Sequence, residues 1–103
     1  MRKINEMISR MTDEVSEYYL RNVNAEATVS EIAIAVSIFG TKTGVLPGGD
    51  FVRAMCENDF LGAVGRADSK NIGKLRNYAT FLISFVPSEE LNELISEFKL
   101  ETE

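Results

Sequence analysis

The stretch GTKTGVLPGGDF, residues 40–51, has the composition of a phosphate-binding loop, with four glycines and one lysine. A P-loop places four residues between its two glycines and a Lys-Ser/Thr pair directly after the second. Here only three residues separate Gly40 from Gly44, and Val45 and Leu46 stand where that pair is required. The stretch therefore predicts a glycine-rich connection between two helices, in which the glycines supply positive φ angles.

Other catalytic patterns in the chain are incomplete. Lys42-Thr43-Gly44 matches the K-T-G of penicillin-recognising enzymes and Ser96 to Lys99 matches their S-x-x-K, but the order is reversed and the chain is far too short. The sequence has no histidine, which excludes Ser-His and Cys-His nucleophile pairs. Asp68 begins a segment similar to an EF-hand loop, but lysine and isoleucine occupy ligand positions. We expect no enzyme activity, no metal and no cofactor.

The negative charge is concentrated at the C-terminal end of the chain. Of 16 acidic and 11 basic residues, six glutamates and one lysine follow residue 87, so residues 88–103 carry the whole net charge of −5. An acidic row repeats at i, i+4: Glu89, Glu93, Glu97 and Glu101. Such a row is either a solvated face or a surface for another protein with a basic patch. Loop 41–50 is the competing partner-binding surface, with Lys42 and with Arg53 just after it.

A nucleic-acid face is the alternative binding surface. Four polar residues are expected on one side at the start of a long helix: Lys70, Asn71, Lys74 and Asn77. A short helix, a tight turn and a helix with such an N-terminal half resemble a helix-turn-helix. Because residues 1–87 balance to zero charge, they offer little of the phosphate attraction that dominates DNA affinity, and we expect no binding to nucleic acid.

The elements that position these residues are expected to be helices. Apolar residues recur at 3.6-residue spacing over residues 3–22. Residues 28–39 open with Thr28-x-x-Glu31, a capping box, and Gly40 stands at the expected helix end. The alternation within residues 30–38 also fits a strand. We favour a helix, which would be central and buried because it is apolar nearly all round.

The second half of the chain predicts three further helices. Gly49 or Asp50 can cap the first of them, and Asn58-Asp59 can interrupt it before Phe60. Asp68 is expected to cap the longest helix, over about residues 69–86. Ser88 caps the last, whose apolar residues are expected to face inward: Leu91, Leu94, Ile95 and Phe98. The longest helix carries two apolar rows, which predicts a homodimer through the second of them: Tyr78, Phe81 and Phe85.

Composition predicts one domain, residues 1–103, folded as an all-α bundle of about five helices. The chain is 45% hydrophobic, which is enough for a core, and no apolar run has the length of a membrane span. No apolar stretch of a signal peptide follows the basic residues near the N-terminus. Cys56 is the single cysteine of the sequence, so it cannot form an internal disulfide, and we expect it in the hydrophobic core. These features predict a cytoplasmic protein.

The segment PGGDFVRAMCENDFLGAVGRADSKNIGKLRNYATFL resembles one in small, mostly uncharacterised bacteriophage and prophage proteins. The matching residues are Pro47, Gly48, Gly49, Phe51, Ala54, Asn58, Asp59, Ala63, Arg66, Ala67, Asp68 and Asn71. Asp50 is an insertion relative to that pattern, and Phe60 replaces a leucine. The resemblance covers about a third of the chain. It implies a phage-type helical protein in the bacterial host cytoplasm, without catalytic residues. Phage-encoded proteins of this size often act by stoichiometric occlusion of a host protein, including bacterial defence nucleases in an anti-CRISPR-like manner, and this is the function that the resemblance implies. The alternative is a small DNA-binding regulator.

Overall fold

The computed structural model describes residues 2–44, 48–68 and 71–85, together with Ser96. In these residues the chain forms five α-helices and one short 3-10 turn, and no strand. The helices are α1 Arg2–Asn22, α2 Val29–Thr43, α3 Asp50–Cys56, α4 Phe60–Arg66 and α5 Leu75–Phe85. The predicted all-α fold is therefore confirmed. The helix predicted from Ser88 lies outside the described residues, except that Ser96 is helical.

Helix α2 is the central element, and its start follows the predicted cap. The Glu31 amide donates to Thr28 Oγ1 over 3.2 Å, which settles residues 30–38 as helix rather than strand. Helix α2 packs against α1, α3 and α5. The prediction that Gly40 ends this helix is wrong. Gly40 is buried within α2, and the left-handed cap is Gly44, with φ 81°, whose amide donates to Thr41 O.

Helices α3 and α4 are separated where the sequence predicted a break. Gly49 is the N-cap of α3, and Asn58 takes a positive φ of 59° directly after that helix. Asp59 then caps α4, because its Oδ1 accepts from the Gly62 amide over 3.0 Å. The two short helices therefore fold back on each other across a three-residue turn, residues 57–59.

The segment before α5 differs from the prediction. The predicted cap, Asp68, accepts a hydrogen bond at Oδ1 from the Asn71 amide over 2.8 Å, but it does not stand next to a helix, because Asn71 is the N-cap of the turn that follows. A 3-10 turn, Ile72–Lys74, comes first, and α5 begins only at Leu75. With 21 residues, α1 is longer than the 11 residues of α5, so the longest described helix is not the predicted one. Gly73 favours this late start, because glycine disfavours an α-helix by about 1 kcal/mol relative to alanine.

Aromatic side chains from α1, α3 and α5 form the centre of the core. Tyr18 and Tyr19 make edge contacts with Phe81, at ring-centroid distances of 6.1 and 5.5 Å. Phe51 makes a similar contact with Tyr78, at 6.0 Å. Tyr78 and Phe81 are fully buried by these contacts. Tyr78 and Phe81, two members of the second apolar row of α5, are thus covered within the chain by α3 and α1 and offer no surface to a second copy.

Candidate functional site

Of the residues predicted to bind a partner, the structure describes Lys42 and Arg53. Lys42 lies in the last turn of α2 and Arg53 in α3, and both are exposed. The acidic row Glu89, Glu93, Glu97 and Glu101 lies outside the described residues, and so does Lys70. The acidic row therefore stays a prediction.

The other members of the predicted nucleic-acid face make contacts inside the protein. Lys74 Nζ lies 3.5 Å from Glu31 Oε1, and Asn77 Nδ2 donates to Glu31 Oε2 over 3.1 Å. Asn71 Oδ1 accepts from the Tyr78 hydroxyl over 3.0 Å. All three residues are half-buried. Their polar atoms are thus engaged with neighbouring helices, and reading DNA bases would require breaking these contacts.

Glu31 is the centre of this polar cluster and is only 2% exposed. Its carboxylate also accepts from the Tyr19 hydroxyl over 2.5 Å and from Asn24 Nδ2 over 3.0 and 3.1 Å. One carboxylate therefore joins α1, the connection after it, α2 and the start of α5. The predicted capping box is half correct: the Thr28 hydroxyl caps α2, whereas the Glu31 side chain bonds into the interior.

The pKa values of the cluster follow from burial and from this hydrogen bonding. Burial by itself raises the pKa of Glu31, but the hydrogen bonds from Tyr19, Asn24 and Asn77 and the charge of Lys74 hold it below 4.5. Burial, together with the nearby carboxylate, raises the pKa of Tyr19 well above its ordinary value. Burial and the charges of Glu31 and Asp68 raise the pKa of Tyr78 to about 12. At neutral pH, Glu31 is therefore ionised and both hydroxyls are protonated donors.

An open cavity of about 410 Å³ lies beside the cluster, lined by Thr28, Ser30, Glu31, Asn71, Lys74 and Tyr78. Most of the polar atoms in this wall are already paired. The Thr28 hydroxyl caps α2, the Tyr78 hydroxyl bonds to Asn71, and the Glu31 oxygens accept four hydrogen bonds. The cluster therefore connects helices and offers a ligand few free groups.

A second surface is apolar and open. A groove of about 380 Å³ runs between the α3–α4 pair and α5. Ala54, Met55, Asn58, Asp59, Phe60 and Ala63 line one wall, and Leu75, Arg76, Ala79, Leu82 and Ile83 line the other. Phe60 is 70% exposed and Ile83 is 76% exposed, one on each wall. On α4, Leu61 is 81% exposed and Val64 is 36% exposed. We call Phe60, Leu61, Val64 and Ile83 the apolar face.

The sequence of α4 explains why these side chains point outward. Asp59 fixes the start of the helix, so Phe60 and Leu61 fall in its first turn. Ala63 is 1% exposed and occupies the side of α4 that faces the core, so the larger apolar side chains of this helix lie on its other sides. A short helix that is apolar on nearly every side cannot bury all of them. This face was not among the surfaces predicted from the sequence. The available signal was a seven-residue helix with one charged residue, Arg66.

Comparisons with known proteins give no assignment: no protein-family model matches the chain, and neither a curated protein nor a solved structure matches it significantly. Among the described residues, no helix combines the length and the hydrophobicity needed to cross a bilayer. Within the same residues, no three side chains of the types that ligate metals come together.

Proposed function

We propose that this chain is a non-enzymatic protein-binding domain and that the apolar face is its binding surface. The observation that carries the proposal is the exposure of Phe60 and Ile83, each at least 70% exposed, on the two walls of an open apolar groove, together with Leu61, which is 81% exposed next to Phe60 on α4. Exposed large apolar side chains that gather around a groove mark interaction sites, whereas scattered ones need no explanation. Val29 is such a scattered residue, because it lies on α2 and not on the two helices that carry the apolar face.

The size of the face supports a protein ligand. Scaled by ordinary side-chain areas, the exposed fractions of its four residues amount to roughly 500 Å², a patch size that is often functional in monomeric proteins. A groove beside short helices is also the geometry that accepts an apolar helix face from another protein. A membrane surface fits less well, because a net charge of −5 is repelled by anionic lipid headgroups.

The resemblance to phage-encoded proteins supports a specific mode of action, which is stoichiometric occlusion of a host protein such as a bacterial defence nuclease. The acidic row and the exposed Lys42 and Arg53 remain additional predicted contacts of that partner. The alternative, a DNA-binding regulator, has less support. Lys74 and Asn77, which would have to read the DNA, are bonded to Glu31.

The test is capture of partners by tagged protein from host lysate, with quantitative mass spectrometry. Three baits are compared: wild type, Ile83→Asp and Val29→Asp. Both variants place a carboxylate at an exposed apolar position, so both should fold. We expect a protein that wild type and Val29→Asp retain equally and that Ile83→Asp retains at least tenfold less, since a charge buried without a partner is costly. Equal capture by all three baits would refute the apolar face as the binding surface.

A further inference from the structure

The two walls of the groove carry opposite charges. Asp59 belongs to the α3–α4 wall and Arg76 to the α5 wall, and both are exposed. Within the described residues neither of them forms a salt bridge. The largely exposed apolar side chains of the groove are divided in the same way, with Phe60 on the first wall and Ile83 on the second. Each wall thus presents one largely exposed apolar side chain and one charged side chain, and the two charges are opposite in sign.

From this division we infer that the apolar face binds a second copy of the same chain. In a two-fold symmetric dimer, a contact from residue i to residue j is repeated from j to i. With the axis running along the groove, the α3–α4 wall of each copy meets the α5 wall of the other. Phe60 then packs against Ile83 of the second copy, and Asp59 faces Arg76 of the second copy. Each contact occurs twice.

The area of the face is near the minimum for a specific dimer. Two faces of roughly 500 Å² bring about 1,000 Å² of apolar surface together, which is the lower limit for a specific interface. Such an interface is reversible, with a dissociation constant on the order of 1 to 100 µM. The inference rests on the proposed function, because it names the protein that occupies the apolar face when the chain is purified alone. A host partner would bind by displacing the second copy.

The first experiment measures mass by sedimentation equilibrium of the purified chain from about 1 to 300 µM, a range that brackets the expected dissociation constant. Wild type should rise with concentration from the 11.5 kDa monomer toward twice that mass. Ile83→Asp should remain a monomer, whereas the matched control Val29→Asp should associate like wild type. Far-UV circular dichroism of each variant verifies that it is folded.

A second experiment tests the pairing of the walls. Arg76→Glu places two carboxylates opposite each other at both ends of the dimer and should weaken association about tenfold or more. Adding Asp59→Asn removes the facing charge, and asparagine still caps α4, so the double variant should recover part of the loss. Asp59→Asn alone should associate more weakly than wild type. An Arg76→Glu variant that associates like wild type would overturn the proposed pairing.

The outcomes separate this inference from the proposed function. A wild-type chain that is still monomeric at the highest concentration, or a dimer that survives Ile83→Asp, overturns the second copy as the occupant. If lysate capture nevertheless depends on Ile83, the protein-binding function stands with a different partner. If the chain is monomeric and capture is also unaffected by Ile83→Asp, both proposals fail.

Discussion

Replacing Glu31 by alanine should destabilise the fold more than any other single change of charge in the described residues. The carboxylate is buried and accepts hydrogen bonds from Tyr19, Asn24 and Asn77. Its removal leaves the Tyr19 hydroxyl, in a fully buried residue, without that partner, which costs about 1–3 kcal/mol. Loss of the hydrogen bonds from Asn24 and Asn77 adds to this, whereas the pairing with Lys74 contributes less than about 1 kcal/mol, because the Lys74 side chain is 41% exposed. We therefore expect a total loss of about 3 kcal/mol.

The assay is urea unfolding followed by far-UV circular dichroism, since the chain has no tryptophan. For a domain of this size a slope of about 1.5 kcal/mol per M converts the loss into a midpoint about 2 M lower. The control is Glu17→Ala, because the Glu17 side chain is 73% exposed and its contact with Arg21 spans 3.7 Å on the surface of α1. The control should leave the midpoint nearly unchanged. A Glu31→Ala loss below about 1 kcal/mol would refute the view that Glu31 joins the helices.

Three further predictions concern the pH dependence of Glu31, two of its partners and the cap at the end of α2. The pKa of Glu31 is lowered in the folded state, so the ionised carboxylate contributes its full stability above pH 4.5 and loses it as the pH falls further. The difference in unfolding free energy between wild type and Glu31→Gln should therefore shrink when unfolding is measured at acid pH. Asn77→Ala should lower the free energy of unfolding by about 1–2 kcal/mol in urea experiments. Lys74→Ala should lower it by less than about 1 kcal/mol, because the Lys74 side chain is 41% exposed and water screens its pairing. An equal or larger effect of Lys74→Ala would contradict this order. Gly44→Ala should lower the free energy of unfolding by about 1 kcal/mol, because alanine is strained at φ 81°, and an unchanged midpoint would contradict that assignment of the cap.

Local sequence patterns predicted the starts of α2, α3 and α4, whereas α5 begins later than predicted. Thr28 and Asp59 each stand directly before a helix, and each side chain accepts a hydrogen bond from a backbone amide. These contacts join residues three positions apart, so they are present in the sequence itself. The end of α2 was harder to predict. Gly40 and Gly44 both fit a left-handed cap, and the choice depends on packing around Gly40, which is buried.

The candidate sites depend on contacts between distant residues, and this is why the sequence alone did not reveal them. Tyr19 and Asn77 meet Glu31 from 12 and 46 residues away, and no local spacing encodes such a meeting. The same limit explains why Tyr78 and Phe81, which were expected to face a second copy, are buried instead: α1 covers Phe81, and Tyr78 packs against Phe51. The apolar face is the opposite case, because Phe60 and Ile83 are apolar, and only the packing of α4 and α5 against the core leaves them exposed.

The most direct test of the central claim is photo-crosslinking at the apolar face in host cells. A benzoylphenylalanine side chain replaces Leu61, which is 81% exposed on α4, or Val29, which is 86% exposed on α2. Both positions accept a large apolar side chain without disturbing the core, so they differ only in location. If the face binds protein, illumination gives a discrete protein adduct at position 61 and none at position 29. No adduct at position 61, or the same adducts at both positions, would contradict the claim.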